Sequence, residues 1–159
     1  IVINGDEPLI DPEIIRAIIP KEDINGFYVS NLMTEIKSPV EAIDFTNIKV
    51  VTDEQDNALF FSRSPIPYPK SSIDYKYYKH VGVLIYDINA LKFFAETPKG
   101  YNERIEDVNE LRFVEHGKKI KMVEVDAHSL SVDTPKDLEY VRTVIGDMIA
   151  RREIILNNE

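Results

Sequence analysis

The sequence predicts an α/β fold, a three-layer sandwich with a mostly parallel sheet and one inserted hairpin, and three observations carry it. Short apolar runs rich in Val and Ile, such as Val81-Gly82-Val83-Leu84-Ile85-Tyr86, alternate with segments of helical spacing. Two segments, Asp11-Pro12-Glu13 and Thr134-Pro135, combine an N-cap side chain with a proline whose φ is already helical. The cluster Asp53-Glu54-Gln55-Asp56-Asn57 lies between two apolar runs, so residues 48–63 read as a β-hairpin.

Taken in order, a strand at 1–4 leads into a helix at 12–19, which Pro20 closes. The first run, Ile1-Val2-Ile3, reads as a core strand. Phe27-Tyr28-Val29-Ser30-Asn31-Leu32-Met33 is the next strand, followed by the hairpin and a loop carrying Pro65, Pro67 and Pro69. Beyond the strand at 81–86, helices are expected at 88–96 and 103–116, the second ended by Gly117. A strand at 119–125 precedes a last helix running from Thr134-Pro135 to about 153, with Leu138, Val141, Val144, Ile145 and Met148 as its apolar stripe.

Composition narrows the function. The chain has 159 residues, 43% of them apolar and 30% charged, which suits one globular domain. A formal charge of −9 without a basic patch argues against a nucleic-acid partner. It leaves phosphorylated substrates open, because Mg²⁺ can supply the positive charge locally. The absence of Cys removes disulfides, thiol nucleophiles and Cys zinc sites, and suits a cytoplasmic protein. No apolar stretch reaches the roughly 18 residues of a membrane span.

Candidate chemistry begins at Asn4-Gly5-Asp6-Glu7-Pro8, where a strand end delivers Asp6 just before a capped helix. Asp133 has the same setting after Leu130-Ser131-Val132. Each reads either as a local turn or capping charge, or as one of two carboxylates meeting at a sheet edge to hold Mg²⁺ for phosphoryl or nucleotidyl transfer. Arg63 follows a strand and is either a surface ion-pair residue or a clamp for a carboxylate or phosphate. His80 is either structural or a hydrogen-bonding partner for substrate, and it shares no metal-ligand spacing with His116 or His128. Glu103, Glu106 and Glu110 fall near one face of the expected helix, as solvated surface or as a pocket wall. There is no Gly-rich phosphate loop in the chain.

Six segments together resemble the 3-deoxy-manno-octulosonate cytidylyltransferases, or CMP-KDO synthetases. They are Asn4-Gly5-Asp6-Glu7-Pro8-Leu9-Ile10, Ile48-Lys49-Val50-Val51-Thr52-Asp53 and Ala58-Leu59-Phe60-Phe61-Ser62-Arg63-Ser64-Pro65-Ile66-Pro67. The others are His80-Val81-Gly82-Val83, Glu103-Arg104-Ile105-Glu106 continuing to Glu110-Leu111-Arg112, and Val132-Asp133-Thr134-Pro135-Lys136-Asp137-Leu138-Glu139. The resemblance implies a nucleotide-diphospho-sugar transferase fold. It also implies Mg²⁺-dependent transfer of CMP from CTP to the anomeric hydroxyl of a 2-keto-3-deoxy sugar acid, with release of pyrophosphate, for lipopolysaccharide synthesis. Asp6 and Asp133 would be catalytic metal ligands, and Asn4, Arg63, His80, Glu106 and Glu110 would belong to the sugar-acid pocket. A cytoplasmic homodimer is implied as well.

The departures matter too. The family's opening A-R-x-x-S-x-R-L-P-G-K-P motif, which grips the triphosphate, has no counterpart, so residues 1–159 are expected to be the C-terminal part of one domain, inactive alone. Asn4 and Glu110 stand where the family usually has Gln, Leu84 where it has Tyr, and Asp107 and Asn109 where it has Met and Glu. These changes leave room for an amino-KDO or a nine-carbon sialic-like acid as substrate. A non-catalytic sugar-binding module is the alternative from another class, and a phosphatase a more distant one.

Overall fold

The computed structural model describes residues 1–22, 24, 26–72, 75–127, 132 and 134–151. Six strands form one sheet: β1 (Val2–Ile3), β2 (Val29–Ile36), β3 (Lys49–Thr52), β4 (Ala58–Ser62), β5 (Tyr77–Tyr86) and β6 (Lys121–Glu124). The order is β4-β3-β5-β2-β6, with β1 added on β5. The α/β class holds, but the sheet is mixed rather than mostly parallel. Among the described residues only β2 and β6 pair in parallel, while β1–β5, β2–β5, β3–β4 and β3–β5 are antiparallel. The cause is the connection into β5. A parallel neighbour needs a crossover, commonly a helix. Here β5 is reached from the β3–β4 hairpin through the Pro-rich loop, and it enters the sheet centre antiparallel. It also starts at Tyr77, four residues before the expected start at Val81.

The two edges of β5 are used differently. One edge pairs with β2 from end to end, Ile36 opposite Tyr77 and Val29 opposite Tyr86. The other is shared, with β3 at Tyr78 and Lys79 and β1 at Val83 and Leu84. A bulge falls at this division: Asn31 faces Leu84 and Leu32 faces Val81, leaving Gly82 and Val83 without an opposite residue in β2. Bulges bend and twist the strand that carries them. This one is braced by the fully buried Asn31, whose Nδ2 donates to the carbonyls of Val81 at 2.8 Å and Val83 at 3.0 Å.

Helices cover both faces. They are α1 (Pro12–Ala17), α2 (Pro39–Ile43), α3 (Ile88–Glu96), α4 (Tyr101–Glu106), α5 (Leu111–Glu115) and α6 (Pro135–Ala150). The expected caps are present: Asp11 accepts from Glu13 N–H at 2.8 Å, and Thr134 and Asp137 form a reciprocal capping box. On one face Val29, Met33, Val50, Phe61 and Met122 pack with Ala90 of α3 and Leu111 and Phe113 of α5. On the other, Leu32, Val81, Val83 and Ile85 pack with Ile14 and Ile18 from α1 and its end. Successive strand residues point to opposite faces, so one strand feeds both cores. The result is the expected helix–sheet–helix layering.

Two expectations change. The helix foreseen over 103–116 is broken, because Asp107 closes α4 in the left-handed conformation, φ 51°. Asp is one of the few residues that adopt it cheaply. Glu103, Glu106 and Glu110 therefore do not share a helix face. The first strand is not core either: Val2 and Ile3 are 43% and 44% exposed, since β1 is paired with β5 alone among the described residues.

Candidate active site

A cleft of about 480 Å³ opens where β1 and β3 part company along β5. Asn4, Asp6 and Glu7 contribute from beyond β1, Lys79, His80, Gly82 and Leu84 from β5, Arg63 from the end of β4, and residues 107–110 from the α4–α5 turn.

Asn4 reaches this position because its N–H donates to the Gly82 carbonyl at 2.7 Å. A Cβ on Gly82 would lie 2.8 Å from Asn4 Cβ, closer than side chains tolerate, so the approach requires glycine. The turn continues with Glu7 N–H donating to the Asn4 carbonyl at 3.2 Å. It leaves Asp6 Oδ1 and Glu7 Oε2 buried with no hydrogen-bond donor. From the far end of the chain, Val132 N–H donates to the Asp6 carbonyl at 2.9 Å. Asp133, the expected partner of Asp6, lies outside the described residues. Among the described residues no three acidic or histidine side chains cluster as metal ligands.

Arg63 is fixed by backbone acceptors. Its Nε donates to the Glu106 carbonyl at 2.7 Å, Nη1 to Phe45 at 3.0 Å and Nη2 to Asp107 at 3.3 Å. A guanidinium carries five N–H donors, so about two remain for a ligand, and among the described residues its charge meets no carboxylate in an ion pair. Glu106 stands behind Arg63 and does not line the cleft. Its carboxylate accepts from Ser62 Oγ at 2.7 Å and from Arg63 N–H at 2.9 Å.

His80 packs edge-on against Phe61, with its Nδ1 buried and unpartnered. Of the other histidines, His116 hydrogen-bonds the Arg112 carbonyl, and His128 lies outside the described residues. Glu103 is structural: it is fully buried and takes two bonds from Arg112, at 2.6 and 2.8 Å. Those bonds hold its carboxyl below the usual glutamate range. Glu110 does line the cleft, whose lining also includes Leu84, Tyr86, Leu91 and Phe94. Burial, together with the nearby Glu110 carboxylate, raises the Tyr86 phenol well above its ordinary value. Asn4, Asp6, Arg63, His80 and Glu110 therefore share one cavity, and Glu103 and Glu106 support it from outside.

Sequence reasoning missed Lys79, Glu7 and Asn31. Lys79 sits next to His80 and bonds Asn47 Oδ1 at 3.1 Å, and its neighbour position was the available signal. Nothing local in the sequence marks Asn31, whose role depends on a bulge in another strand.

A mixed α/β sheet with a polar, two-signed cleft at a strand division defines a ligand-binding α/β domain. Residues 1–120 match the cytidylyltransferase family, and the chain belongs to that family. It is similar to the 3-deoxy-manno-octulosonate cytidylyltransferase of Solibacter usitatus (strain Ellin6076), 43% identical over 141 residues, covering 87% of this chain and 56% of the relative. It is also similar to the 8-amino-3,8-dideoxy-manno-octulosonate cytidylyltransferase of Shewanella pealeana (strain ATCC 700345 / ANG-SQ1), 38% identical over 142 residues, covering 87% and 58%. A solved CMP:2-keto-3-deoxy-manno-octonic acid synthetase complexed with CTP superposes with a TM-score of 0.78 at 35% identity, over 90% of this chain and 59% of that one. The chain thus spans somewhat more than half the length of these relatives.

Proposed function

We propose that the full-length gene product carrying these residues is a cytidylyltransferase. It joins CMP from CTP to the anomeric hydroxyl of a 3-deoxy-octulosonate-type sugar acid and releases pyrophosphate, in lipopolysaccharide synthesis. The observation that carries the reading is the gathering of Asn4, Asp6, Arg63, His80 and Glu110 around one cleft, in a chain with relatives of that activity. In the reaction the sugar hydroxyl oxygen bonds the α-phosphorus, the bond to pyrophosphate breaks and the hydroxyl proton is lost.

The spare N–H donors of Arg63 suit the sugar carboxylate, and the unpartnered His80 Nδ1 suits a hydroxyl. Mg²⁺ fits the opposite wall. The Asp6 and Glu7 oxygens that lack donors are hard ligands, and this ion uses only one or two carboxylates. Asp6 and Asp133 would hold it, and when bound it would neutralise charge on the triphosphate. Relatives of both the hydroxyl- and the amino-sugar kind bring both acids within the proposal. A cytoplasmic homodimer belongs to the same reading; no helix among the described residues is long and apolar enough to cross a membrane.

The test is pyrophosphate release by the full-length protein with CTP, Mg²⁺ and each sugar acid. Release should require an acid and the metal, and should fall by about 10³-fold or more in Asp6→Ala and Asp133→Ala. No release from folded full-length protein with any of these acids would point instead to a sugar-binding module.

A further inference from the structure

Lys49 is fully buried, and no carboxylate among the described residues forms an ion pair with it. A lysine in that position is rare, because a buried ammonium is costly unless its N–H groups are met. Burial pulls its pKa below the ordinary lysine value, with the Asp44 carboxylate acting the other way. What meets the ammonium is main chain: Nζ donates to the Asp44 carbonyl at 2.8 Å and to the Asn47 carbonyl at 2.6 Å. Both ends of segment 44–47 are thereby tied to one nitrogen. Inside the segment, Thr46 N–H and Oγ1 donate to the Asp44 carboxylate at 2.9 and 2.7 Å.

Lys49 does not line the cleft, yet the segment it ties does, through Thr46 and Asn47 with Ile48 after them. The same stretch of chain holds cleft residues that stand on other strands. The Phe45 carbonyl accepts from Arg63 Nη1 at 3.0 Å, and Asn47 Oδ1 accepts from Lys79 Nζ at 3.1 Å. The Ile48 carbonyl accepts from His80 N–H at 3.0 Å. We infer that Lys49 is a positioning residue for the sugar-acid side of the cleft, acting through segment 44–48 on Arg63, Lys79 and His80. An apolar side chain in its place would leave the Asp44 and Asn47 carbonyls without this donor, and the three cleft contacts would lose their common support. This inference rests on the cytidylyltransferase reading and adds to it a residue that works on the cleft from behind its wall.

The test compares the full-length protein with its Lys49→Met variant, which keeps the apolar stem and removes the ammonium. KM and kcat are measured for CTP and for the sugar acid that the protein turns over, with Mg²⁺. KM for the sugar acid should rise about 10-fold or more, while KM for CTP stays within about 2-fold of wild type. A merely structural role would lower the melting temperature and the amount of active enzyme and leave both KM values where they were. That result overturns the inference and leaves the activity standing, and so does an equal rise in both KM values. If Lys49→Met does not fold, Lys49→Gln decides, because its shorter, uncharged amide cannot hold both carbonyls as the ammonium does. A rise of about 3-fold or more in KM for the sugar acid alone then supports the inference, and a wild-type value overturns it. Turnover of no acid by the wild-type protein overturns the cytidylyltransferase reading and this inference with it.

Discussion

Glu106 holds Arg63 twice, its carboxylate accepting the Arg63 backbone N–H at 2.9 Å and its carbonyl accepting Nε at 2.7 Å. The main chain and the guanidinium of one residue are therefore referred to a single neighbour. Removing the carboxylate in Glu106→Ala frees the backbone of Arg63 and the Ser62 hydroxyl together. We expect KM for the sugar acid to rise about 10-fold with a smaller loss in kcat, while Glu106→Gln, which keeps one acceptor, loses less. Steady-state kinetics on the full-length protein decides it; a loss confined to kcat would contradict a positioning role.

Gly82 and Asn4 approach closely in the cleft, with Asn4 N–H 2.7 Å from the Gly82 carbonyl. Gly82→Ala should push Asn4, and with it Asp6, outward by a few tenths of an ångström or more, because its Cβ would meet Asn4 Cβ and Nδ2, both at 2.8 Å. Activity should fall at least 10-fold while thermal stability changes little, since β1 is short and half exposed. Equal losses in both would show that Gly82 matters to the sheet rather than to the site.

The Glu103–Arg112 pair makes a stability prediction. Arg112→Met strands a buried carboxylate and should cost about 3–5 kcal/mol, whereas adding Glu103→Leu should recover much of that. Urea denaturation of the single and double variants gives the comparison. The pair also sets a pH dependence. Arg112 bonding lowers the Glu103 carboxyl from 4.5, so the unfolded chain binds the proton more tightly. Its stabilisation is full above that ordinary value and is lost as pH falls through the lower folded one. The Arg112→Met, Glu103→Leu chain should show a shallower loss of stability in acid.

Asn31 should prove as important to the cleft as residues that line it. Asn31→Leu keeps the volume but leaves the Val81 and Val83 carbonyls without donors, at about 1–3 kcal/mol for each. Gly82 lies between those carbonyls, so activity should fall alongside stability. Unchanged activity would mean the bulge holds its shape from the backbone alone.

Much of this was legible in local chemistry. Asp11-Pro12 and Thr134-Pro135 marked helix starts because capping needs only a few adjacent residues. The short α2, with the same signal in Ser38-Pro39, escaped notice because five residues show no period. The pairing direction of β5 was not readable, since it depends on which edges were free and not on the strand itself. Asp107 misled for a related reason: the apolar spacing of Ile105, Val108 and Leu111 persists across the αL break, so periodicity could not reveal it. The site residues were read from motifs, yet the division of labour among Glu103, Glu106 and Glu110 came only from three dimensions.

The sharing of one β5 edge by two strands has a mechanical consequence. The Ile48 carbonyl anchors His80 N–H at 3.0 Å and Asn4 N–H anchors the Gly82 carbonyl at 2.7 Å, while β2 pairs with the opposite edge on either side of the bulge. The mouth between the anchors spans two strand residues, about 6–7 Å at ordinary rise. It cannot widen without breaking ladder bonds. The strand therefore holds His80 and Gly82 at a fixed spacing on the cleft wall, a rigid backbone rule against which the neighbouring side chains are set.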